Sequence, residues 1–531
     1  MKKSFIIHPF LFAIFPILFL FSHNMGEPTQ ATYLGILLLI GIAICFTFLI
    51  LFLSKLIFKN EIKASIIVSI SWVIFFSYGH IYGMINSWEI GGFLIVRHRY
   101  LIFTMCVLFT FLTYFIVKTR KNLNELIKML NLMGIILIFI PTYNIGVYLF
   151  DLTKIGYIEN VNIKDKGFNA RELDNTTRQP DIYYIILDGY ASSSSLEEFF
   201  NYDNHDFTNY LIEKGFYVAT KSQSNYLSTY LSLASSLNMQ YINNLIDLYD
   251  DKSVASRQIH NMFVNNKVMR ILGKKGYKCV SIIDDSFNPK STPYEMQILS
   301  PIMKNIYLTD FTAILLNTTL LVPILDRFNF YYKEIWKYNL DQFSLLENTP
   351  GIENPKFVFA HIFSPHPPYI FDQNGNFKET KSTSSNWEYP DEYLEELIFV
   401  NKKVKDIVDE IFSKSKIPPI IIIQGDHGPH LRPWASSLGD DAPHHYEDAY
   451  DERNVKMFTG IINAYYLPNI DNTIMYESIT PVNTFRLIFS EYFNERYDLL
   501  EDKVYYISPK KVYEDFVKGN VLNVKNKNLF K

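Results

Sequence analysis

The residues best suited to chemistry in this 531-residue sequence directly follow short apolar runs. Asp426 and His427 come after PPIIIIQ, in the segment QGDHGPH (424–430) that also carries His430. A carboxylate oxygen beside an imidazole nitrogen suits Zn²⁺ or Mn²⁺ better than Ca²⁺. The alternative is a polar turn in which Asp426 caps a helix. We favour metal binding, because Asp-His-Gly after four isoleucines is more specific than a turn signal.

A second carboxylate occupies the same kind of position. Asp188 follows DIYYIIL, and Gly189 lets the chain turn sharply after it. Taken alone, an Asp-Gly pair is more typical of a turn than of a metal site. Together with Asp426, it would supply a second oxygen ligand.

A hydroxyl pair lies in SNYLSTYLSLASSLNM (224–239), where leucines alternate with small polar residues. The pattern predicts a helix that begins near Ser228 and Thr229. Free N–H groups at a helix start stabilise an anion, and a nearby metal ion lowers the pKa of a hydroxyl, so either residue could serve as a nucleophile. An ordinary N-cap is the alternative for both.

Four histidines remain open from their positions alone. His361 and His366 lie where KFVFAHIF ends, in FAHIFSPHPPYIF (359–371), and could bind metal, hold an anionic oxygen or be structural. His444 and His445 lie in the charged stretch DDAPHHYED, where we expect exposed side chains.

Five apolar runs with the pattern of buried strands must position these residues. They are rich in β-branched and aromatic residues and are bounded by polar residues, proline or glycine. Helical patterns separate them, so the sequence predicts an α/β fold with a mostly parallel sheet and helices on both faces. Active sites in such sheets lie beyond the carboxyl ends of the strands. The runs are 181–187, 278–283, 356–363, 418–424 and 461–467.

Two of the intervening helices are predicted in more detail. Ser195 and Glu198 have the spacing of a capping box, which predicts a helix start ahead of FFNYDN. A second helix leads into the 418–424 strand and has one apolar face. That face is formed by Val400, Val404, Ile407, Val408 and Ile411.

The first 150 residues differ in composition from the rest. They hold 11 Lys and Arg against 4 Glu, a net charge of +7, whereas residues 151–531 hold 39 against 50 acidic residues, a net charge of −11. A helix needs ~20 apolar residues to cross a bilayer. We predict a transmembrane helical domain at 1–150, a polar linker at 151–180 and an α/β domain at 181–531. The five predicted spans are 4–23, 31–53, 64–84, 98–117 and 129–150.

Basic residues predict the orientation of these spans. Nine Lys and Arg lie at the N-terminus and in the second and fourth connections, against Arg97 and Arg99 alone in the others. We therefore expect a cytoplasmic N-terminus and, after an odd number of spans, an extracytoplasmic α/β domain. No Asp, Glu, Lys or Arg lies in the middle of a span, which argues against a transporter.

Composition excludes two further classes. The acidic α/β domain would repel a phosphate backbone, so no nucleic-acid partner is expected. Cys45 and Cys106 lie in apolar runs and leave only Cys279 in the polar part, which excludes an intradomain disulfide or a Cys-based zinc site there.

The order of the motifs resembles the alkaline phosphatase superfamily. The sequence has a strand ending in Asp188, a hydroxyl residue at a helix start 41 residues later, a histidine at a strand end, and then Asp-His-Gly. The resemblance is strongest to the membrane-bound, sulfatase-like branch, which includes lipoteichoic acid synthases and phosphoethanolamine transferases. That branch also carries several spans before an extracytoplasmic catalytic domain, which implies an enzyme of the cytoplasmic membrane here.

The resemblance implies roles for individual residues. Asp188, Thr229, Asp426 and His427 would hold one divalent metal ion, Mn²⁺ or Zn²⁺, with Thr229 as the nucleophile. His366 would face the phosphoryl oxygens of the substrate.

The resemblance also favours one hydroxyl of the pair. Thr229 is preferred over Ser228 because Ser232 follows at +3, the nucleophile-x-x-Ser spacing of the sulfatase signature Cys-x-Pro-Ser-Arg. The leading Cys of that signature is absent, so formylglycine chemistry is not expected. No Asp accompanies His361 and His366, which leaves a second metal ion open.

The reaction implied is transfer or hydrolysis of a phosphoryl-type group of a lipid head group or envelope glycan, through a covalent threonine intermediate. A phosphatase or sulfatase acting on a soluble ester is one alternative. A non-catalytic envelope scaffold that retains the fold is the other. The intact ligand set favours an enzyme.

Overall fold

The chain folds into two compact units, each formed by two separate stretches of the sequence. Unit 1 contains Met1–Phe168 and Lys304–Tyr331, and unit 2 contains Asn169–Met303 and Tyr332–Lys531. Residues 304–331 therefore belong with the predicted transmembrane domain, although the sequence pattern places them in the α/β domain. The computed structural model describes residues 5–24, 33–85, 89–90, 93–94, 98–162, 179–243, 259–283, 296–299, 310–353, 355–380, 382, 387–430, 452–506 and 522–524.

Long apolar helices dominate unit 1. Four of them are long and apolar enough to cross a membrane, while the first is a shorter apolar helix of 16 residues. A two-stranded antiparallel pair, β1 (Glu89–Ile90) and β2 (Phe93–Leu94), lies between the third and fourth helices. The helices are α1 (His8–His23), α2 (Tyr33–Phe58), α3 (Glu61–Ile85), α4 (His98–Lys118) and α5 (Asn124–Asn162).

Helix α5 extends beyond the predicted end of the fifth span. It continues to Asn162, so the first part of the predicted linker 151–180 is helical. No proline interrupts residues 151–162, so nothing in the sequence stops the helix at the edge of the apolar stretch. Residues 163–178 of the predicted linker lie outside the described part of the chain.

A seven-stranded mixed sheet forms the centre of unit 2. Its order is β4-β9-β8-β3-β7-β5-β6, in which four neighbouring pairs are parallel and two are antiparallel. The predicted mostly parallel sheet is thereby confirmed. The strands are β3 (Ile182–Leu187), β4 (Tyr217–Val218), β5 (Lys278–Ile282), β6 (Met296–Ile298), β7 (Lys356–Ile362), β8 (Ile420–Gly425) and β9 (Asn463–Tyr466), and a separate antiparallel pair is formed by β10 (Val504–Tyr506) and β11 (Leu522–Val524).

Helices cover both faces of this sheet, and β3 is buried on both. Ile182, Tyr184 and Ile186 belong to one apolar cluster, while Tyr183 and Ile185 belong to the other. The alternation of side chains along a strand explains why the whole run is apolar. The remaining helices of the described residues, of which α10 and α11 belong to unit 1, are α6 (Ser193–Phe200), α7 (His205–Glu213), α8 (Thr229–Asn238), α9 (Lys267–Lys274), α10 (Asp310–Asn317), α11 (Val322–Arg327), α12 (Phe330–Asn348), α13 (Pro390–Lys414), α14 (Glu452–Thr459) and α15 (Pro481–Phe493), with 3₁₀ turns at Thr349–Gly351 and Asn472–Ile474.

One helix prediction is confirmed in full, and in the other the helix is present but its predicted cap is wrong. All five predicted apolar-face residues of α13 are buried. Helix α6, however, begins at Ser193, and its N-cap is Ser192, whose hydroxyl accepts from the Ser195 N–H at 3.2 Å. The Ser192 N–H donates to the Gly460 carbonyl at 3.0 Å, which holds Ser192 extended and lets the helix begin directly after it. Ser195 therefore lies in the first turn and is not the cap.

Candidate active site

Three neighbouring strands end at one edge of the sheet, where they bring the candidate residues together. Leu187 of β3 is in register with Ile362 of β7 and with Gly425 of β8. Asp188 and Asp426 are the next residues after β3 and β8. His361 is the second-to-last residue of β7, so the central strand and both its neighbours each place one polar side chain here.

Asp188, His361 and Asp426 form a buried cluster that fits a metal ion. Each can offer one ligand atom such that the three atoms lie within 4.8 Å of one another. His361 Nε2 lies 3.3 Å from Asp188 Oδ2. Asp188 Oδ1 and Asp426 Oδ2 are buried and have no hydrogen-bond partner. Two adjacent buried carboxylates require a compensating positive charge, which a divalent cation would supply.

Backbone groups orient Asp426. Its Oδ1 accepts from the N–H of Gly189 at 3.1 Å and from the N–H of His427 at 2.9 Å. These bonds leave Oδ2 directed toward the cluster. Gly189 has a φ of +71°, and a Cβ there would lie 2.5 Å from Trp387 Cη2, so both the backbone and the space require glycine.

The ring of His427 faces both carboxylates and the hydroxyl of Thr229. Its Nε2 lies 3.5 Å from Asp188 Oδ1, 3.5 Å from Asp426 Oδ2 and 3.4 Å from Thr229 Oγ1. Its Nδ1 lies 2.9 Å from the Gly428 carbonyl, which assigns the proton of the neutral ring to Nδ1 and leaves Nε2 as a ligand atom.

Charge in the cluster alters the pKa of two members. Burial lowers the pKa of His427, but the charges of Asp426 and Asp188 raise it by more than burial lowers it. The net shift of this pKa is therefore upward. Burial raises the pKa of Asp188, yet His366, His361 and His427 bring it down to about 2. Without a bound cation, the cluster therefore favours an ionised Asp188 and a protonated His427.

Thr229 is the first residue of α8, and its hydroxyl lies at the helix N-terminus. Ser228 occupies the N-cap position with extended backbone angles, but its side chain makes no capping hydrogen bond. Of the two hydroxyls left open by the sequence, Thr229 is the one within 3.4 Å of the His427 ring nitrogen. The N-terminus of α8 provides free N–H groups that stabilise negative charge beside it.

His366 lies next to this cluster with its ring orientation set. Its Nδ1 lies 2.7 Å from the Pro367 carbonyl, so Nδ1 carries the proton of the neutral ring. Burial lowers its pKa, outweighing the opposing effect of Asp188. The ring is therefore neutral at pH 7, with Nε2 able to accept a proton.

Trp387 and His430 are site residues whose roles the sequence does not indicate. The Trp387 ring lies 4.6 Å from the His366 ring, 6.1 Å from the His427 ring and 5.6 Å from the His430 ring, between centroids. Trp387 thus forms an apolar wall against three histidines. Trp387 lies in a polar stretch of the sequence that contains no motif, so nothing local predicts its place in the site. His430 belongs to the Asp-His-Gly segment. His444 and His445 lie outside the described residues.

A buried carboxyl, Glu396 of α13, secures the loop that carries His366. Its Oε2 accepts from the N–H of Ile370 at 2.8 Å and from the N–H of Phe371 at 3.3 Å. Ser364 also hydrogen-bonds to this carboxyl. Glu396 therefore holds the chain on both sides of His366. Burial raises the pKa of Glu396 to about 8.

We expect this raised pKa to make Glu396 a source of pH-dependent stability. Its carboxyl stays protonated in the folded chain up to a pH of about 8, whereas an unfolded Glu ionises near 4.5. The contribution of the protonated Glu396 carboxyl to the stability of the fold is complete below pH ~4.5 and is lost as the pH rises through ~8. Glu396→Gln keeps an acceptor oxygen without a charge, so its stability relative to wild type should increase by on the order of 3 kcal/mol from pH ~5 to pH ~8.

The measurement is the difference in Tm between wild type and Glu396→Gln across that pH range. The matched control is Glu213→Gln, because Glu213 is exposed on α7 and its Tm difference should not change with pH. A Tm difference for Glu396→Gln that is equally independent of pH would contradict the raised pKa.

Solved structures that match this chain include an integral membrane protein, a periplasmic domain and a sulfatase. The integral membrane lipooligosaccharide phosphoethanolamine transferase A (EptA) from Neisseria meningitidis is 10% identical with a TM-score of 0.37, over 91% of this chain and 94% of that chain. The C-terminal periplasmic domain of EcEptC from Escherichia coli, in complex with Zn, is 11% identical with a TM-score of 0.37, over 60% and 83%. A 2-O GAG sulfatase is 9% identical with a TM-score of 0.36, over 62% and 78%.

Family comparison gives a more direct result. No curated protein matches the sequence. The Sulfatase family model, in contrast, matches residues 188–485, which is more than half of the 531-residue chain. The matched region begins at Asp188 and includes Thr229, His361, Asp426 and His427. The chain therefore belongs to the sulfatase family.

Proposed function

We propose that the protein is a membrane-anchored, metal-dependent enzyme that transfers or hydrolyses a phosphoryl-type group of a lipid head group or envelope glycan. One observation carries this proposal: the Thr229 hydroxyl lies at a helix N-terminus, 3.4 Å from the ring nitrogen of His427 that also faces Asp188 and Asp426. Membership in the sulfatase family makes the protein an enzyme of the alkaline phosphatase superfamily, as its motif order predicts.

Asp188, Asp426, His427 and the Thr229 oxygen are the proposed ligands of one divalent ion, and His361 joins them. Two carboxylate oxygens with imidazole nitrogens favour Mn²⁺ or Zn²⁺. His361 was left open by the sequence and is added because it offers a ligand atom to the two aspartates. A bound divalent ion would lower the pKa of the Thr229 hydroxyl and neutralise charge on the phosphoryl oxygens.

The proposed reaction has two displacements at phosphorus. The Thr229 oxygen forms a bond to phosphorus, the bond to the lipid or glycan oxygen breaks, and that leaving oxygen takes up a proton. An acceptor hydroxyl or water then attacks the phosphothreonine, loses its proton and releases Thr229. N–H groups at the start of α8 stabilise the charge that develops in both steps.

His366 is the proposed proton carrier. Its neutral ring holds a proton on Nδ1 through the Pro367 carbonyl, so its Nε2 can take the proton of the attacking hydroxyl and pass it to the leaving oxygen. Trp387 packs against this ring and fixes its direction.

A threonine nucleophile favours a phosphoryl substrate over formylglycine-type sulfate ester hydrolysis. That chemistry requires a modified cysteine, and Cys279 is buried in the core within β5. To separate the two, the purified protein in vesicles is given phospholipids labelled in the head-group phosphate and, separately, a nitrophenyl sulfate. We expect metal-dependent release of the labelled head group and no sulfate release; the reverse result would overturn the proposed substrate class.

We further propose that unit 2 lies on the extracytoplasmic side of the cytoplasmic membrane, from the excess of nine to two basic residues. A phosphatase reporter fused after Asp151 should be active, and one fused near Lys121 should be inactive. The opposite pattern would place the proposed active site in the cytoplasm and exclude an envelope substrate.

A further inference from the structure

We propose that residues 310–328, the inserted segment, are embedded in the bilayer leaflet at the C-terminal end of α3 and contact lipid acyl chains. The segment comprises α10, a short turn and α11, and it interrupts the sequence of unit 2 between β6 and β7. It nevertheless belongs to unit 1. The proposal concerns membrane binding and does not depend on the reaction.

The turn of the inserted segment is hydrogen-bonded directly to the backbone of α3. The Leu320 N–H donates to the Phe75 carbonyl at 2.8 Å, and the Gly79 N–H donates to the Thr318 carbonyl at 3.0 Å. Phe75 and Gly79 are four residues apart on one side of α3, so the loop between α10 and α11 lies against that side of the helix. A Cβ at Gly79 would lie 1.8 Å from the Asn317 carbonyl oxygen, so this approach requires glycine.

These contacts lie at membrane depth. Gly79 and Phe75 precede the end of α3 at Ile85 by ~9 Å and ~15 Å, at ~1.5 Å per residue. The 25 residues of α3 span ~38 Å, which exceeds the ~30 Å hydrocarbon core by ~4 Å at each end when the helix is centred. The turn is therefore ~5–11 Å inside the hydrocarbon region.

The N–H and hydroxyl groups of the turn have hydrogen-bond partners, as non-helical backbone at this depth requires. The hydroxyls of Thr318 and Thr319 donate to the Leu315 and Leu316 carbonyls at 2.7 Å and 2.6 Å. The Leu321 N–H in turn donates to the Thr319 hydroxyl at 3.2 Å.

The inserted segment is apolar on both its sides. Phe311 and Leu315 are buried in the apolar cluster of unit 1 with residues of α1, α2 and α3. On the opposite side the exposed fractions are 41% for Ile314, 57% for Ile324 and 64% for Phe328. The spanning helices of the same unit carry many exposed apolar side chains, so this side continues a lipid-facing surface.

A polar edge marks the level of the head groups. Asp326 Oδ2 lies 3.1 Å from Nε2 of His98, the first residue of α4. The ring of Tyr82 stacks on His98 at 3.9 Å between centroids. Tyrosine rings are enriched where acyl chains meet head groups. The charged end of the segment therefore faces the interface, while its apolar residues face lipid.

The test uses the full chain in phospholipid vesicles, with Cys45 and Cys106 replaced by alanine and Cys279 kept because it is buried. Ile314→Cys and Ile324→Cys are labelled with a nitroxide, and collisions with oxygen and with a water-soluble nickel chelate are compared. Ile212→Cys on α7 of unit 2, 55% exposed, is the matched control. We expect oxygen to dominate at both segment positions and nickel at the control. Nickel dominating at either segment position would overturn the proposal.

Gly79→Ala tests the docking contact independently. We expect the added methyl group to displace the turn, so the label at position 324 becomes several-fold more accessible to nickel. Gly83→Ala, one turn later on α3 with nothing within 4 Å of its Cβ, should leave the label unchanged. An unchanged label in Gly79→Ala would contradict the docking geometry. The parent measurements at positions 314 and 324 decide the proposal if that variant does not fold.

Discussion

Thr229→Ala should abolish turnover of the labelled phospholipid and leave the fold intact. Removing a nucleophile that acts with a base and a metal ion typically lowers kcat by about 10³-fold or more. The Thr229 side chain lies at the surface end of α8 and is only half-buried, so losing its hydroxyl should cost at most ~2 kcal/mol. The measurements are the initial rate, the Tm and the bound metal, of which the rate should change most.

The matched control is Ser228→Ala, one residue earlier. Its hydroxyl makes no capping hydrogen bond, so we expect a Tm and a rate close to wild type. Capping by Ser228 would be the ordinary expectation from its position, and the structure removes that role. Full activity in Thr229→Ala, or loss of activity in Ser228→Ala, would show that Thr229 is not the nucleophile. Neither result would contradict the proposed metal ligands.

Asp426→Asn should remove metal and activity together. Asparagine can retain the acceptor oxygen for the Gly189 and His427 N–H groups, but it removes the charge that Asp426 Oδ2 contributes. Changes to groups that merely support a ligand weaken metal binding by about 10- to 100-fold, so loss of a ligand charge should exceed that range. Excess Mn²⁺ or Zn²⁺ should restore part of the rate.

Metal content of the wild type and of Asp406→Asn completes this prediction. Asp406 is exposed on α13, so the control should keep both metal and activity. We expect about one equivalent of metal per chain, from the single cluster of ligand atoms within the described residues. Two equivalents of metal would show that other histidines complete a second site. Metal retained in Asp426→Asn would show that Asp426 is not a ligand.

Much of the sheet and the place of the site could be predicted from the sequence. Strands buried on both faces leave continuous apolar runs, so β3, β7 and β8 were visible without knowledge of their partners. Because parallel strands share a carboxyl edge, residues after separate runs, such as Asp188 and Asp426, were expected to converge. That convergence is what the register of the three strands produces.

Contacts that depend on tertiary register could not be predicted. His361 and His366 have similar surroundings in the sequence, and only the pairing of His361 with Ile186 places it beside Asp188. Trp387 and Glu396 reach the site through packing, with no local pattern to indicate it.

The inserted segment escaped prediction for a different reason. Its two helices have eight and six residues and are far too short to be predicted as spans. From the sequence they cannot be told apart from short core helices of the α/β domain. What separates them is the backbone contact with Phe75 and Gly79, which no composition encodes.

Mass spectrometry of an acid-quenched reaction detects the proposed covalent phosphothreonine itself. The reconstituted enzyme is mixed with excess phospholipid, quenched during turnover and digested, and the peptide spanning residues 222–252 is sequenced by fragmentation. We expect a phosphoryl-type adduct on Thr229 that is absent from Asp426→Asn. An adduct on Ser228, or turnover with no adduct at any residue of the peptide, would contradict it.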